Sequence, residues 1–304
     1  RAGYCVDSFG HAATLPKILA GCGYQGYVFM RPQAHENADI PMLAFRWQAD
    51  DGSAVTALRI PQSYTAWTPD AVKNSIQHNV ELVSETPLKD QVFAFYGVGN
   101  HGGGPTKESL SAIEGWRRDP EMPKLVYSSP EQFLDVAESA PLETWKGELQ
   151  HHAPGCYSAV SLIKSGIRRA EQALLSAEMW DTPAQTALRN PPASRDLSRP
   201  WKHVLFNQFH DILPGTSVVG AYQDARDQLG GATYEASFAR NAAQQALSWQ
   251  IDTEGHDPPL VLFNNQPFPF EGVIETEDLG FSVGTRTRGE LALADGNSNP
   301  IPHQ

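Results

Sequence analysis

Four short apolar runs in the first third of the sequence each end in a side chain that could take part in chemistry. The residues that follow the runs are a carboxylate, a guanidinium, a phenol and an imidazole next to an amide: Asp7, Arg31, Tyr64, His101 and Asn100. In parallel βα architectures the loops after the strands converge on one face, where catalytic groups collect. The pattern therefore predicts a polar site on one rim of a sheet. Because loops are polar in any α/β protein, the pattern alone does not fix a function.

Two of these positions lie in segments with further signals. Asp7 belongs to the segment Val-Asp-Ser-Phe-Gly-His at 6–11, where it could equally cap a following helix. His11 in that segment is expected to be a hydrogen-bonded structural histidine rather than a metal ligand. The loop at 97–104 has five glycines in eight positions, which predicts positive φ angles or a close backbone approach. It lacks the Lys-Ser/Thr pair of a phosphate-binding loop.

A second candidate site lies much later in the chain. Residues 201–213 are patterned as a largely apolar helix, on which Asn207, His210 and Asp211 form one polar stripe. Polar groups on a buried helix need partners, because leaving them unpaired costs several kcal/mol. The stripe therefore indicates either a hydrogen-bonded core histidine or a metal ligand, His210, with an acidic neighbour.

The elements that must position these residues change in character along the chain. Strand-like runs at 4–6, 27–30, 55–60 and 92–96 alternate with helical patterns at 15–20 and 69–84. Such alternation predicts an α/β fold with a mostly parallel sheet, here a partial (β/α) barrel-like catalytic domain over residues 1–128. Helical patterns then predict a three-helix-type bundle as a middle domain over 129–257. Strand-like alternation after 258 predicts the start of an all-β, C-terminal β-sandwich domain over 258–304.

Composition excludes several classes of partner. The 35 acidic residues exceed the 23 basic ones, which gives a net charge of −12 and argues against a nucleic-acid binder. No stretch of 18 apolar residues is present, so a membrane span is not expected. Three cysteines without C-x-x-C spacing favour a reducing, cytoplasmic location over a disulfide framework. The chain begins without Met inside a strand-like run, so we interpret it as an interior fragment that carries no information on a signal peptide. A homo-oligomer stays open.

An esterase-like arrangement is a competing interpretation. The His-Gly-Gly-Gly sequence at 101–104 is similar to an oxyanion loop, and residues 280–284 fit a nucleophile elbow by letters. An elbow needs a helix after its serine, whereas Thr-Arg-Thr-Arg-Gly follows. The context therefore disfavours this interpretation.

Taken together, the segments resemble glycoside hydrolase family 38, the zinc-dependent α-mannosidases. The resemblance spreads over most of residues 1–216, with a further match near the end of the chain. The matching blocks are residues 6–11, 28–32, 96–106, 147–158, 206–216 and 261–264.

The resemblance implies a retaining, zinc-dependent hydrolysis of α-mannosidic bonds in oligosaccharides or glycoconjugates. Asp7 matches the family's nucleophile, which also binds zinc, and His210 matches a second zinc ligand. Asp211 matches an acidic residue near the bound sugar, and Arg31 matches an arginine beside the nucleophile. Tyr64 matches a tyrosine that contacts the substrate. Zn²⁺ is the expected cofactor and a mannose-containing oligosaccharide the expected partner.

Two departures from the family pattern leave parts of the site open. The family takes its other zinc ligands from a His-x-Asp sequence, which we expect upstream of Arg1. Many relatives carry an aspartate in the glycine-rich loop where this chain has Asn100, and an amide cannot act as a general acid. Asn100 is then expected to bind substrate, and His101 or Asp211 to supply the proton. A catalytically silent, carbohydrate-binding relative is the alternative.

Overall fold

The computed structural model of the chain describes residues 1–99, 102–150, 153–254, 259–274, 293–295 and 299–301. The chain divides into two compact units. The first unit combines Arg1–Gly166 with Leu205–Arg226, and the second combines Ile167–Val204 with Asp227–Gln304. Both candidate sites predicted from the sequence fall in the first unit.

The first unit is built on a five-stranded mixed sheet. Its strands are β1 (Ala2–Cys5), β2 (Gly26–Phe29), β3 (Leu43–Gln48), β4 (Ala54–Arg59) and β5 (Thr144–Lys146), in the order β1-β2-β4-β3-β5. β2 pairs in parallel with β1 on one side and with β4 on the other, whereas β3 is antiparallel to β4 and parallel to β5. The sequence-based prediction of an α/β fold with parallel strands is confirmed.

Both faces of this sheet are buried, which explains the continuous apolar runs of its central strands. Side chains alternate between the faces along β2. Val28 belongs to one core cluster, and Tyr27 and Phe29 belong to the other. Burial on both sides fixes the strand ends, so the side chains that follow them start from a rigid frame.

Among the described residues, four α-helices lie wholly within the first unit. They are α1 (Leu15–Gly21), α2 (Pro69–Val83), α3 (Lys107–Trp116) and α4 (Pro130–Glu138). A hydroxyl side chain caps α2, α3 and α4, because Thr68, Thr106 and Ser129 each accept a backbone N–H of the first turn. The helices predicted at 15–20 and 69–84 are thereby confirmed within one residue.

The strand predicted at 92–96 is wrong. This segment is extended but forms no ladder, and the carbonyl of Phe93 accepts its hydrogen bond from the Asn79 side chain. Phe93 and Phe95 pack onto the sheet's core cluster, so the apolar pattern reports burial rather than strand pairing. Pairing begins just beyond it, where Gly97 and Ala66 exchange backbone hydrogen bonds of 2.9 and 3.0 Å.

Two elements beyond residue 128 pack with the sheet. Leu134 of α4 lies in a core cluster of the sheet, and β5 pairs with β3. The sequence did not predict β5, which has only three residues. The division of the chain at residues 128 and 257 stays a prediction.

Two long helices and a shorter one form the predicted helical region. They are α5 (Ser161–Ala187), α6 (Ser198–Asn207) and α7 (Val219–Ser248). In the second unit, buried side chains recur at helical spacing on α5 and α7: Ala170, Leu174, Ala177, Leu229, Ala232 and Ala236. α5 continues through Pro183 and is separated from α6 by residues 188–197, and α7 continues through Gly230 and Gly231.

The end of the chain contributes little regular structure to the described residues. Residues 260–263, predicted as a strand, form none, and β6 (Leu293–Ala294) pairs with β7 (Pro300–Ile301) in an antiparallel ladder. The elbow sequence at 280–284 lies outside the described residues. Within the described part of the chain, no helix combines the length and apolarity that a bilayer crossing needs. The start of a β-sandwich domain stays a prediction.

Candidate active site

Asp7 and Arg31 lie side by side because their strands are in register. Cys5 of β1 is paired with Phe29 of β2, and the two functional side chains each follow two residues later. The Nε of Arg31 donates a hydrogen bond of 2.6 Å to Oδ1 of Asp7. The side chains of Asp7 and Arg31 are 20% and 25% exposed, so the ion pair is largely shielded from water. The sheet rim predicted from the sequence therefore brings these two residues together.

His210 completes the cluster on the other side of Asp7. Its Nε2 lies 3.5 Å from Oδ2 of Asp7 and 4.0 Å from Oδ2 of Asp211. The two oxygens of Asp7 thus face different partners, a guanidinium and an imidazole. Two candidate sites that lie 200 residues apart in the sequence form one constellation.

The helical stripe predicted for Asn207, His210 and Asp211 is wrong, because α6 ends at Asn207. His210 and Asp211 lie in the turns of residues 208–215. Thr216 holds this turn, since its backbone N–H donates to the carbonyl of Asp211 and its Oγ1 donates to Oδ1 of the same residue, at 3.0 and 2.9 Å. Local bonds of this kind compete with helix formation.

Lys164 supports the same turn from the start of α5. Its Nζ donates to the carbonyl of Leu213 at 2.8 Å and to the carbonyl of Ala159. Position 215 in this turn requires a glycine. Its φ of +87° is unfavourable for other residues, and a Cβ there would lie 3.0 Å from that of Ala159. Partial burial lowers the pKa of the Lys164 ammonium from its ordinary value.

His11 is a buried structural histidine, as the sequence-based interpretation had it. It is 4% exposed, and its ring nitrogens contact the carbonyl of Arg31 at 3.0 Å and the hydroxyl of Tyr27 at 2.7 Å. Both nitrogens are thereby taken by other groups. His11 does not offer a nitrogen to a metal ion.

Arg59, at the end of β4, secures the loop that follows Arg31. Its guanidinium is 1% exposed and donates to the carbonyls of Pro32, Asn37 and Ile40 at distances between 2.6 and 3.2 Å. Burial lowers the pKa of Arg59 to about 10, so the group stays protonated at neutral pH. This clamp fixes where the chain leaves the sheet after Arg31.

Tyr64 lies against the glycine-rich loop. A Cβ on Gly99 would lie 3.0 Å from the Tyr64 ring and 2.9 Å from Thr65, and the φ of Gly99 is +66°. The close approach and positive φ predicted for this loop are confirmed at that glycine. Asn100 and His101, the next two candidate residues, lie outside the described residues.

The donor set of the cluster fits part of a zinc site. Zinc binds carboxylate oxygen and imidazole nitrogen at about 2.0–2.1 Å, so two tetrahedral ligands lie about 3.3 Å apart. The 3.5 Å between Asp7 Oδ2 and His210 Nε2 matches that spacing. Among the residues that the structure describes, no group of three potential ligands surrounds one point. Asp7 and His210 thus have the chemistry and spacing of two zinc ligands, which is fewer than a protein zinc site uses.

Sequence reasoning missed the residues that support the site. Arg59, Lys164 and Thr216 act by bonding to the backbone or to a functional side chain, and no spacing rule links them to their partners. Arg59 carried one signal, a charged residue near the end of a β-branched and apolar run.

Comparisons with known proteins place these features in context. The model of the glycosyl hydrolases family 38 N-terminal domain matches residues 1–149, and that of the alpha mannosidase middle domain matches residues 151–247. Alpha-mannosidase G of Dictyostelium discoideum is 30% identical over 230 residues, which are 73% of this chain and 20% of that protein. Alpha-mannosidase 2C1 of Mus musculus is 31% identical over 252 residues, 79% of this chain and 23% of that protein. The chain spans about a fifth of the length of these curated relatives.

A solved structure shares the fold. The alpha-mannosidase from Enterococcus faecalis V583 superposes with a TM-score of 0.65 at 20% sequence identity. The match covers 83% of this chain and 30% of that chain. At this identity the likeness concerns the fold alone.

Proposed function

Because the chain belongs to glycoside hydrolase family 38, we propose that it carries the nucleophile and part of the zinc site of a retaining α-mannosidase. The observation that carries the proposal is the Asp7 carboxylate, which bonds Arg31 through Oδ1 and faces His210 through Oδ2. The names of the relatives, all alpha-mannosidases, support a mannose-containing oligosaccharide as the substrate.

In this proposal Asp7 attacks the anomeric carbon of the sugar. Retention of configuration requires a covalent glycosyl-enzyme intermediate formed on a carboxylate, which water then hydrolyses. The hydrogen bond from the Arg31 Nε holds Oδ1 in place, so the carboxylate cannot rotate freely about its bond to Cβ. A fixed carboxylate loses little entropy on reaching the attacking geometry.

Asp7 and His210 would be the two zinc ligands that this chain supplies. When bound, zinc provides a positive charge that grips sugar hydroxyls and helps to hold a distorted ring. The remaining ligands would come from a His-x-Asp sequence upstream of Arg1.

The proton for the leaving group would come from Asp211 or His101. Asp211 is supported by its contact with His210 and by the Thr216 hydroxyl on its Oδ1, which orients the carboxyl. A retaining glycosidase uses this second group first as acid and then as base. Replacing each residue separately and measuring the pH profile of kcat/KM assigns the role, since loss of the acid removes the alkaline limb.

The experiment that tests the proposed function uses the complete protein and an aryl α-mannoside. We expect turnover, release of α-mannose as the first anomer seen by proton NMR, and loss of activity on dialysis against a chelator with recovery on adding Zn²⁺. Release of β-mannose would contradict the retaining mechanism, and turnover that survives metal removal would contradict the role of zinc. No hydrolysis with retained mannoside binding would favour a silent carbohydrate-binding relative, for which Asn100 in the glycine-rich loop is the supporting observation.

The state of the cysteines supports the proposed location. Cys5, Cys22 and Cys156 are all free thiols in the structure. Free thiols are typical of reducing compartments, which supports the proposal of a cytoplasmic location.

A further inference from the structure

We infer that His11 is a positioning residue that holds Arg31 against Asp7 by a hydrogen bond to the Arg31 backbone. The inference rests on the proposed function only in its readout, because the geometry itself is independent of the substrate. Arg31 is then held at two points by one loop, with its side chain on Asp7 and its carbonyl on His11.

The contacts of His11 allow only one arrangement of hydrogens. The carbonyl of Arg31 can only accept, so Nε2 of His11 carries the proton and donates across 3.0 Å. With Nε2 protonated in the neutral ring, Nδ1 is an acceptor, and the hydroxyl of Tyr27 donates to it across 2.7 Å. Burial lowers the pKa of His11 to about 4, which keeps the ring neutral. In this series of hydrogen bonds, Tyr27 therefore donates to His11 and His11 donates to Arg31.

The hydrogen bonds of His11 and Arg31 close a ring that includes Asp7. The path leads from Asp7 along four residues to His11, across to the Arg31 carbonyl, and back through the Arg31 side chain to Asp7. A shift of Arg31 along its strand direction would break both bonds at once. The register of the ion pair is thus set twice, by the pairing of β1 with β2 and by this ring.

The position of His11 is itself fixed from outside the ring. Its backbone N–H and carbonyl exchange hydrogen bonds of 3.0 and 2.9 Å with those of Leu149. The edge-to-face contacts of the imidazole with Tyr27 and Phe29 have ring centroids 5.4 and 5.7 Å apart. Because the His11 side chain is fixed by the core, its hydrogen bond also restricts the position of the Arg31 backbone.

Two substitutions separate positioning from simple core packing. In His11→Gln the side-chain amide reaches the place of Nε2 and can still donate to Arg31, whereas in His11→Asn it reaches only the place of Nδ1 and meets Tyr27. Both variants lose the aromatic ring and its packing, so each is the control for the other. In the complete protein with an aryl α-mannoside, we expect kcat of His11→Asn to fall by at least about tenfold with KM changed less. We expect His11→Gln to stay within about threefold of wild type, at similar thermal unfolding midpoints.

The remaining outcomes decide against the inference or against the function, and they are distinguishable. If both variants lose activity in proportion to their unfolding midpoints, or if both keep it, His11 is core packing alone and the inference fails. If wild type itself does not hydrolyse the mannoside, the proposed function fails, and crystal structures of the two variants then test the inference. A longer distance from Arg31 Nε to Asp7 in His11→Asn but not in His11→Gln supports it, and an unchanged distance in both overturns it.

Discussion

The two halves of the candidate site are held by different means. Asp7 and Arg31 follow two paired parallel strands, of which β2 is buried and β1 is partly exposed, and the sheet pairing itself sets their separation. His210 and Asp211 lie in turns after the last residue of α6, where a few side-chain hydrogen bonds set their geometry. We call these the sheet half and the turn half of the site.

The two halves differ in how well they should tolerate substitution. The Asp7 side chain is 20% exposed and its supporting residue His11 is 4% exposed, whereas Asp211 is 44% exposed and Thr216 lies at the surface. Interactions in water-accessible places contribute less than buried ones of the same kind. We therefore expect substitutions to cost most in the sheet half and least at the outer edge of the turn half.

The largest effect is expected from Asp7→Asn in the complete protein. The substitution removes the proposed nucleophile and one zinc ligand together, so we expect turnover of an aryl α-mannoside to fall by more than about 1000-fold. Asp211→Asn is the matched change in the turn half and should cost less, because it leaves Asp7 and His210 in place. Activity of Asp7→Asn within about tenfold of wild type would remove Asp7 from the nucleophile's role.

The second effect concerns acid stability and comes from the sheet half. The pKa of His11 is lowered by burial from an ordinary 6.5 to about 4. At a pH between these two values, the His11 imidazole therefore takes up a proton when the protein unfolds. Stability is therefore lost as pH falls from 6.5 to 4, by about 3 kcal/mol in the limit, and it is unaffected above pH 7. We expect the thermal unfolding midpoint of wild type to fall relative to that of His11→Gln over this range. A constant difference between pH 7 and pH 4 would show that His11 titrates normally.

The sheet half could be predicted from the sequence. Short apolar runs leave a clear pattern, whether buried as in β2 or partly exposed as in β1, and Asp7 and Arg31 are the first ionisable side chains after these two runs. The pairing of those runs as parallel neighbours then brings the two residues together. The sequence did not predict β3, because the exposed Arg46 interrupts the apolar pattern of that strand.

For the turn half, the sequence indicated which residues belong to the site but not the backbone conformation that positions them. A helical period continues past Asn207 in the sequence, yet the helix ends there, and the bonds of Thr216 to Asp211 hold the turns that follow. Lys164 bonds a carbonyl 49 residues away, and Arg59 bonds carbonyls up to 27 residues earlier in the chain. Periodicity reports which face is buried and contains no information on such side-chain-to-backbone bonds.

The third effect tests what supports the turn half. Lys164→Met keeps the length of the side chain but removes the donor to the carbonyls of Leu213 and Ala159. Hydrogen bonds from charged groups contribute about 1.5–3 kcal/mol, so we expect kcat/KM to fall by about tenfold as His210 loses its fixed position. Lys124→Met removes the same charge from an exposed loop position and should have no effect. Equal activity of the two variants would mean that the turn holds without Lys164.

The smallest effect is expected at Thr216, the outer edge of the turn half. Thr216→Val keeps the shape of the side chain but removes the hydroxyl that donates to Oδ1 of Asp211 across 2.9 Å, while the backbone N–H of residue 216 still bonds the Asp211 carbonyl. One hydrogen bond at the surface contributes about 1 kcal/mol, so kcat/KM should fall about fivefold. Thr216→Ser keeps the hydroxyl and should restore most of that loss. If Val and Ser reduce kcat/KM equally, the methyl group of Thr216 rather than its hydroxyl orients Asp211, and the turn half depends on packing more than on hydrogen bonds.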